Sequence, residues 1–145
     1  MDTLRLPAKM EHLETFRSYV IGKAESWGLV QDLLFKIELV LEELLTNVIH
    51  YAYSEDDRGE VEVGCSMADH STFHLFIHDW GRPFDPLATK DPDIAQGLDE
   101  RGIGGLGIHL VRRMADQVTY KREADSNVLN LYFQIPSECF LPTEN

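Results

Sequence analysis

A carboxylate and an amide stand four residues apart in the apolar stretch ELVLEELLTNVIHYAY, residues 38–53. In a helix, Glu43 and Asn47 would lie on the same side, about one turn apart. A carboxylate in that place can accept a proton from a hydroxyl group, and an amide oxygen beside it can bind a cation. Polar residues on a helix are more often solvated than functional, so this pair needs support from elsewhere in the chain.

A second candidate stands at the end of a predicted strand, TFHLFIHD. Alternation places Asp79 on the same face as Leu75 and Ile77, where a free carboxylate is costly. We therefore expect Asp79 at a wet rim or in a hydrogen bond. It could accept from an exocyclic amine such as that of adenine, while Gly81 leaves room for a flat ring. By itself, Asp-x-Gly is also a common turn sequence.

A cluster of glycines feeds a predicted helix further along the chain. It consists of Gly102, Gly104, Gly105 and Gly107. Glycine backbone can approach phosphates closely, and the amides of a helix N-terminus favour anions. The string GIGGLG matches the dinucleotide fingerprint literally, but the polar segment DIAQGLDER stands where that fingerprint needs a buried strand. A Walker phosphate loop does not fit either, because no GK[ST] is present, and a flexible hinge is the remaining alternative.

The hydrophobic pattern predicts the elements that must hold these residues. The predicted strands are residues 2–6, 61–67, 72–79, 117–123 and 127–135. The predicted helices are residues 7–27 and 30–53, and residues 102–116 are predicted to be a glycine turn that leads into a third helix. Gly28 is expected to cap the first helix, and Asp125–Ser126 to form a hairpin turn. The order β-α-α-β-β-loop-α-β-β indicates an α+β fold, an α/β two-layer sandwich. Its sheet is expected to be mixed and mostly antiparallel, with the helices on one face.

The bulk composition limits the function classes. A chain of 145 residues with a formal net charge of −12 is expected to form one domain, residues 1–145. That charge argues against nucleic acid or an anionic membrane as the main partner. The chain has no apolar run long enough to span a membrane and no signal-peptide core, so we expect it in the cytoplasm. Cys65 and Cys139 are too few for a disulfide framework.

Three strings together are far more specific than any one of them: EELLTNVIHYAY, HDWGRPFDP and GIGGLGIHLVRRMADQVTYKRE. In this order and spacing the chain resembles the GHKL ATPase superfamily, whose members share the Bergerat ATP-binding fold. Within it, the chain is most similar to the bacterial anti-sigma-factor serine/threonine kinases of the RsbW and SpoIIAB type. The resemblance extends over nearly the whole chain.

The resemblance implies a role for each residue. Asn47 matches the asparagine that binds Mg²⁺, Glu43 the proposed general base, and Asp79 the aspartate that bonds the adenine amine, with Gly81 beside the ring. The irregular segment of about residues 86–103 matches the ATP lid. Further nucleotide contacts are expected from Phe84, Arg101, Gly102, Gly104, Gly105, Leu106 and Gly107.

The chain departs from the family pattern in two places. Members often carry NAxxHAY after the asparagine, whereas this sequence has NVIHYAY, with Tyr51 in place of histidine and His50 one position early. Arg101 is the lid cation expected near the γ-phosphate, although the alignment places Ile103 in that column. Glu42 is adjacent to Glu43 but points about 100° away and lacks the four-residue spacing to Asn47.

The function that the resemblance implies is an ATP- and Mg²⁺-dependent serine/threonine protein kinase that acts as an anti-sigma factor. Its phosphate acceptor would be a STAS-type anti-anti-sigma protein, and its second partner would be a sigma factor. The protein would form a homodimer. A sheet face with His74, Phe76 and Tyr132 is apolar enough to need partial cover. The alternatives are a nucleotide-gated adaptor without phosphotransfer and a detached histidine-kinase catalytic domain. A zinc site at His74 and His78 lacks further ligands.

Overall fold

A computed structural model of the protein describes residues 2–54, 59–85 and 105–141, without the side chains of 105–108. The strands are β1 (Thr3–Pro7), β2 (Glu60–Asp69), β3 (Thr72–Asp79), β4 (Gln117–Glu123) and β5 (Ser126–Gln134). The α-helices are α1 (Leu13–Ser26), α2 (Gln31–Asn47) and α3 (Gly105–Met114). A π-helical turn, Val48–Ala52, continues α2, and short 3₁₀ turns occupy Met10–His12 and Ser137–Cys139. The predicted order of elements is confirmed.

The strands form one sheet in the order β1-β2-β3-β5-β4. Every described pair is antiparallel. This confirms the predicted α+β two-layer class, and no parallel pair occurs among the described strands. Because β3 lies directly beside β5, Asp79 at the end of β3 faces Asn127 at the start of β5.

The core lies between the helices and one face of the sheet. Helix α2 contacts both α1 and α3 and buries Ile37, Val40 and Leu41. The sheet contributes the buried side chains of Val61, Val63, Phe73, Leu75, Ile77, Leu131 and Phe133. These are the inward positions that alternation predicts. Phe76 and Tyr132 on the opposite face are only half-buried.

The end of the central helix differs from the predicted continuous helix of residues 30–53. The α-helical pattern stops at Asn47, and the next turn, Val48–Ala52, is π-helical. Such turns are rare and often occur at functional sites. The carbonyl of Ala52 then accepts a hydrogen bond from the backbone N–H of Arg82 at 2.9 Å. The π turn thus connects the helix that carries Asn47 to the chain that leaves β3.

Two predicted boundaries shift, and one predicted helix cap is confirmed. Helix α1 begins at Leu13 rather than Pro7, because Pro7 pairs with Glu60 as the last residue of β1. The last hairpin turns at Ala124 and Asp125, one residue early, and Ser126 already belongs to β5. The predicted cap at Gly28 is confirmed by its φ of +85°, a conformation that glycine adopts easily.

Both cysteines are free thiols. Desolvation by burial raises the pKa of Cys65 to about 11, so this thiol stays protonated at neutral pH. Within the described ranges, no helix is both long and apolar enough to cross a membrane.

Candidate functional site

The site lies where the last turn of α2 meets the chain that leaves β3. Asn47 is the final residue of α2, and Asp79 is the final residue of β3. The hydrogen bond between Arg82 and the Ala52 carbonyl joins the two segments. Helix α3, which begins at Gly105, packs against α2. The fold therefore brings together the elements that carry all three sequence motifs.

Glu43 and Asn47 form the more unusual end of the site. Asn47 is only 2% exposed, although it is polar and stands at a helix end. Asn47 Oδ1 and Glu43 Oε1 are both buried, and neither has a hydrogen-bond partner among the described residues. Buried oxygens without partners are rare in proteins, since each costs the full desolvation of the group. Two such oxygens on one helix face are suited to bind a cation and to accept a proton.

The environment of Glu43 makes it a stronger base than an ordinary carboxylate. Burial raises the pKa of Glu43, and a hydrogen bond from the Asn47 side chain partly offsets this. A carboxylate whose pKa is raised holds a captured proton more firmly, which favours general-base chemistry near neutral pH. Glu42 is the natural reference for Glu43, because it is adjacent, of the same type and also half-buried.

Unlike the unpartnered oxygens of Glu43 and Asn47, one oxygen of Asp79 accepts two hydrogen bonds. Asp79 is 3% exposed, and its Oδ1 accepts from the backbone N–H of Gly81 and from Asn127 Nδ2, both at 2.9 Å. Burial raises the pKa of Asp79, and the bonds from Asn127 and Gly81 act against that shift. Both described bonds end on Oδ1, so Oδ2 is the oxygen left to accept from a ligand.

Gly81 has a second reason to be glycine. A Cβ at this position would lie 2.1 Å from the carbonyl oxygen of Ala52 and 2.7 Å from its carbonyl carbon. No side chain can occupy that space without moving the backbone of the π turn. The sequence suggested that this glycine leaves room for a ring. In the structure, the close approach of two backbone segments already requires it.

Asn127 is a site residue that the sequence analysis missed. It is 3% exposed, and its Nδ2 donates both to Asp79 and to the carbonyl of Arg82, at 2.8 Å in the second case. Like Asp79, Asn127 is a polar residue at an inward position of a strand. Asn127 shares the inward face of β5 with Leu129 and Leu131, where a polar side chain needs a partner.

Phe84 and Tyr51 lie beside this network. The Phe84 N–H donates to Asn127 Oδ1 at 3.4 Å, and the Phe84 ring stacks on that of Tyr51 with centroids 5.7 Å apart. Arg82 Nε also donates to the Tyr51 carbonyl at 2.6 Å. His50 is exposed, whereas Tyr51, which stands where family members usually have histidine, contacts Phe84.

Several predicted contacts lie outside the described residues. Arg101, Gly102, Gly104 and the proposed lid of about residues 86–103 belong to that part. Gly105, Leu106 and Gly107 lie in the first turn of α3, which confirms that the glycine cluster leads into a helix. Among the described residues, no group of three metal-binding side chains occurs. His74 instead bonds Asn130 at 2.7 Å and stacks on Tyr132.

The donor set fits ATP with a bound Mg²⁺. A buried amide oxygen without a partner suits one position of a hard cation whose other ligands are phosphates and water. Asn47 would supply that oxygen, and Asp79 Oδ2 would accept from the adenine amine. The two ends lie on segments that the Ala52–Arg82 hydrogen bond holds together, so the fold itself sets their separation.

Comparison with known proteins identifies the family and the enzyme class. The family described as "Histidine kinase-like ATPase domain" matches residues 6–133. "Serine-protein kinase RsbW" of Bacillus subtilis is 25% identical over 130 residues, which cover 86% of this chain and 80% of that protein. The protein of the same name from Listeria monocytogenes is 27% identical over 135 residues, covering 90% and 85%. The predicted enzyme class, an ATP-dependent serine/threonine protein kinase, is confirmed.

Two solved structures share the fold. One contains the RsbU and RsbW domains of a Mycobacterium tuberculosis protein, with a TM-score of 0.64 and 14% identity. The match covers 99% of this chain and 35% of that longer one. The other is the SiaB–SiaC complex from Pseudomonas aeruginosa, with a TM-score of 0.60, 14% identity and coverage of 93% and 90%. The family match over residues 6–133 shows that this chain belongs to the histidine kinase-like ATPase domains.

Proposed function

We propose that this protein is a cytoplasmic anti-sigma factor that uses Mg²⁺-ATP to phosphorylate a serine or threonine of a STAS-type anti-anti-sigma protein. In its other state it binds and silences a sigma factor. The observation that carries the proposal is the pair of buried, unpartnered oxygens on Glu43 and Asn47. An adaptor that only binds nucleotide needs a cation ligand, but it does not need a base one helical turn away.

Each residue has a separate task in this proposal. Bound Mg²⁺-ATP supplies the phosphoryl group and neutralises charge as the group is transferred. Asn47 holds the cation through Oδ1, and Asp79 orients the adenine through Oδ2. Glu43 accepts the proton of the acceptor hydroxyl. Phosphoryl transfer depends mainly on positioning and on charge stabilisation, so few protein groups are needed.

The relatives support partners that are proteins. Two of these carry the name serine-protein kinase RsbW, and the SiaB structure contains its partner SiaC. The net charge of −12 is consistent with protein partners rather than nucleic acid. The sigma factor and the STAS protein would be regulators of the same organism.

We also propose that the protein is a homodimer that uses the open face of its sheet. Tyr132 stacks on His74 at 4.7 Å there, and the Arg5 guanidinium lies 3.9 Å from the centre of the Trp80 ring. Phe76 lies on the same face and is half-buried. A half-buried aromatic surface that includes its own cation favours association with another protein surface.

The test is phosphate transfer from γ-labelled ATP with Mg²⁺ to STAS proteins of the same genome. The variant is Glu43→Gln and the matched control is Glu42→Gln, which removes the same charge one residue away. We expect the wild type and Glu42→Gln to label one STAS protein. The rate of phosphate transfer by Glu43→Gln should be lower by at least about 100-fold. All three should bind ATP equally. ATP binding without any transfer by the wild type would favour the adaptor, and absence of binding would refute the proposal.

A further inference from the structure

Asn127 takes part in more hydrogen bonds than its position on a strand requires. Its side chain forms five, with Asp79, the Arg82 carbonyl, the Phe84 N–H, Tyr120 and Arg122. Four of the five partners are the nucleotide-site residue Asp79, two residues of the segment after it, and Arg122, which also donates to the Gly81 carbonyl at 2.8 Å. The side chain therefore holds both the strand end and the chain that leaves it.

The partners determine which way the Asn127 amide points. Arg122 can only donate, and its Nη1 lies 3.2 Å from Asn127 Oδ1. The Arg82 carbonyl can only accept, and it lies 2.8 Å from Asn127 Nδ2. A flipped amide would place a donor against the guanidinium and an acceptor against the carbonyl. Nδ2 must therefore be the atom that meets Asp79.

This orientation has a consequence for Asp79. A donor from Asn127 and a second donor from Gly81 both occupy Oδ1, so the carboxylate cannot rotate without breaking two bonds. Oδ2 is thereby held at one position as an acceptor. A donor on Oδ1 also disfavours protonation there, which keeps the carboxylate an acceptor rather than a donor. His78, Tyr53 and Arg122 are the other titratable or charged groups that act on Asp79.

We propose that Asn127 is a positioning residue that makes the site selective for purines with a 6-amino group. It does so by fixing Asp79 as a hydrogen-bond acceptor through Oδ2. The inference rests on the proposed ATP site and adds a residue to it. Through its bonds to Arg82 and Phe84, Asn127 also anchors the segment that continues from the adenine end of the site. Neither of these roles requires Asn127 to contact the ligand itself.

The test compares ATP with purine riboside 5′-triphosphate, which lacks only the 6-amino group. Two variants of equal shape separate the donor from the packing: Asn127→Thr keeps a hydroxyl donor, and Asn127→Val has none. Both are β-branched and suit a strand. Asn130→Val is the control, because Asn130 lies on the same strand but on the open face, bonded to His74. Dissociation constants are measured by titration calorimetry.

We expect the wild type and Asn130→Val to prefer ATP by at least about tenfold, the value of one hydrogen bond to a charged group. Asn127→Val should reduce this preference to below about threefold, and Asn127→Thr should retain most of it. An equal loss of affinity for both nucleotides in Asn127→Val would show a merely structural residue and overturn the inference. A wild-type preference that both variants retain would also overturn it. No measurable ATP binding by the wild type would instead refute the proposed function.

Discussion

The two ends of the candidate site differ in how their buried polar atoms are bonded. At the end proposed to bind adenine, Oδ1 of Asp79 has two partners, and the Asn127 side chain is bonded to five groups. At the other end, Asn47 Oδ1 and Glu43 Oε1 have no partner among the described residues. The first end is preorganised by the protein, whereas the second retains unused bonding capacity for a cation and a proton.

This difference indicates at which end a substitution should leave the folded structure intact. A fully bonded network loses several contacts when one member is replaced, so changes there affect stability and recognition together. At the unpartnered end, replacing Glu43 or Asn47 removes the hydrogen bond between their side chains but, among the described residues, no network of bonds to other elements. Variants of these two residues should therefore fold well while function is lost.

The largest expected effect at the bonded end follows from Asp79→Asn. The amide keeps the shape and still accepts from Gly81 and Asn127, but a donor replaces the oxygen proposed to accept from the adenine amine. ATP affinity should fall by about 10- to 100-fold, the value of a hydrogen bond to a charged group. Titration calorimetry measures it, with Asp69→Asn, at an exposed carboxylate far along the sheet, as the control. An unchanged affinity would exclude Asp79 as the adenine acceptor.

Gly81→Ala should lower stability at the junction of the two ends. The new Cβ would meet the backbone oxygen of Ala52 at 2.1 Å, so the π turn or the segment after β3 must move. We expect a loss of about 1–3 kcal/mol in the free energy of unfolding, typical of overpacking against a fixed group. Denaturant unfolding gives this value. Gly22→Ala is the control, because a Cβ there meets no atom of another element within 4 Å. Since Gly22 lies inside α1, this variant should gain up to about 1 kcal/mol from helix propensity. Equal stability of the two variants would contradict the observed contact.

A smaller effect concerns the pH dependence of stability. Burial raises the pKa of Asp79 above its ordinary 3.8, so the folded protein binds this proton more tightly than the unfolded chain. The resulting cost of a buried charge is absent below pH 3.8 and grows as pH rises through the raised pKa. Asp79→Asn lacks this cost, so its melting temperature relative to wild type should increase from acid to neutral pH. A relative melting temperature that falls with pH would contradict a raised pKa.

Much of the fold could be predicted because it follows from simple periodicity. Alternation in β3 placed Asp79 inward, and the structure buries it to 3% exposure. The π turn could not be predicted, because the apolar spacing through Val48 reads as ordinary helix, and the turn depends on contacts of Ala52 with a distant segment. Asn127 carried the same inward-polar signal as Asp79, but its role depends on β5 lying beside β3, which local pattern does not reveal.

The Mg²⁺ dependence of ATP binding is the most direct test of whether Asn47 binds the cation, because Asn47 Oδ1 is one of the two buried oxygens without a described partner. ATP affinity is measured with and without Mg²⁺ for the wild type, for Asn47→Ala and for the neighbouring control Thr46→Ala. We expect Mg²⁺ to strengthen ATP binding by the wild type and the control. Asn47→Ala should lose on the order of 100-fold in ATP affinity, and only when Mg²⁺ is present. Affinity without Mg²⁺ should be nearly the same in all three proteins. A Mg²⁺ effect that persists in Asn47→Ala would contradict the account.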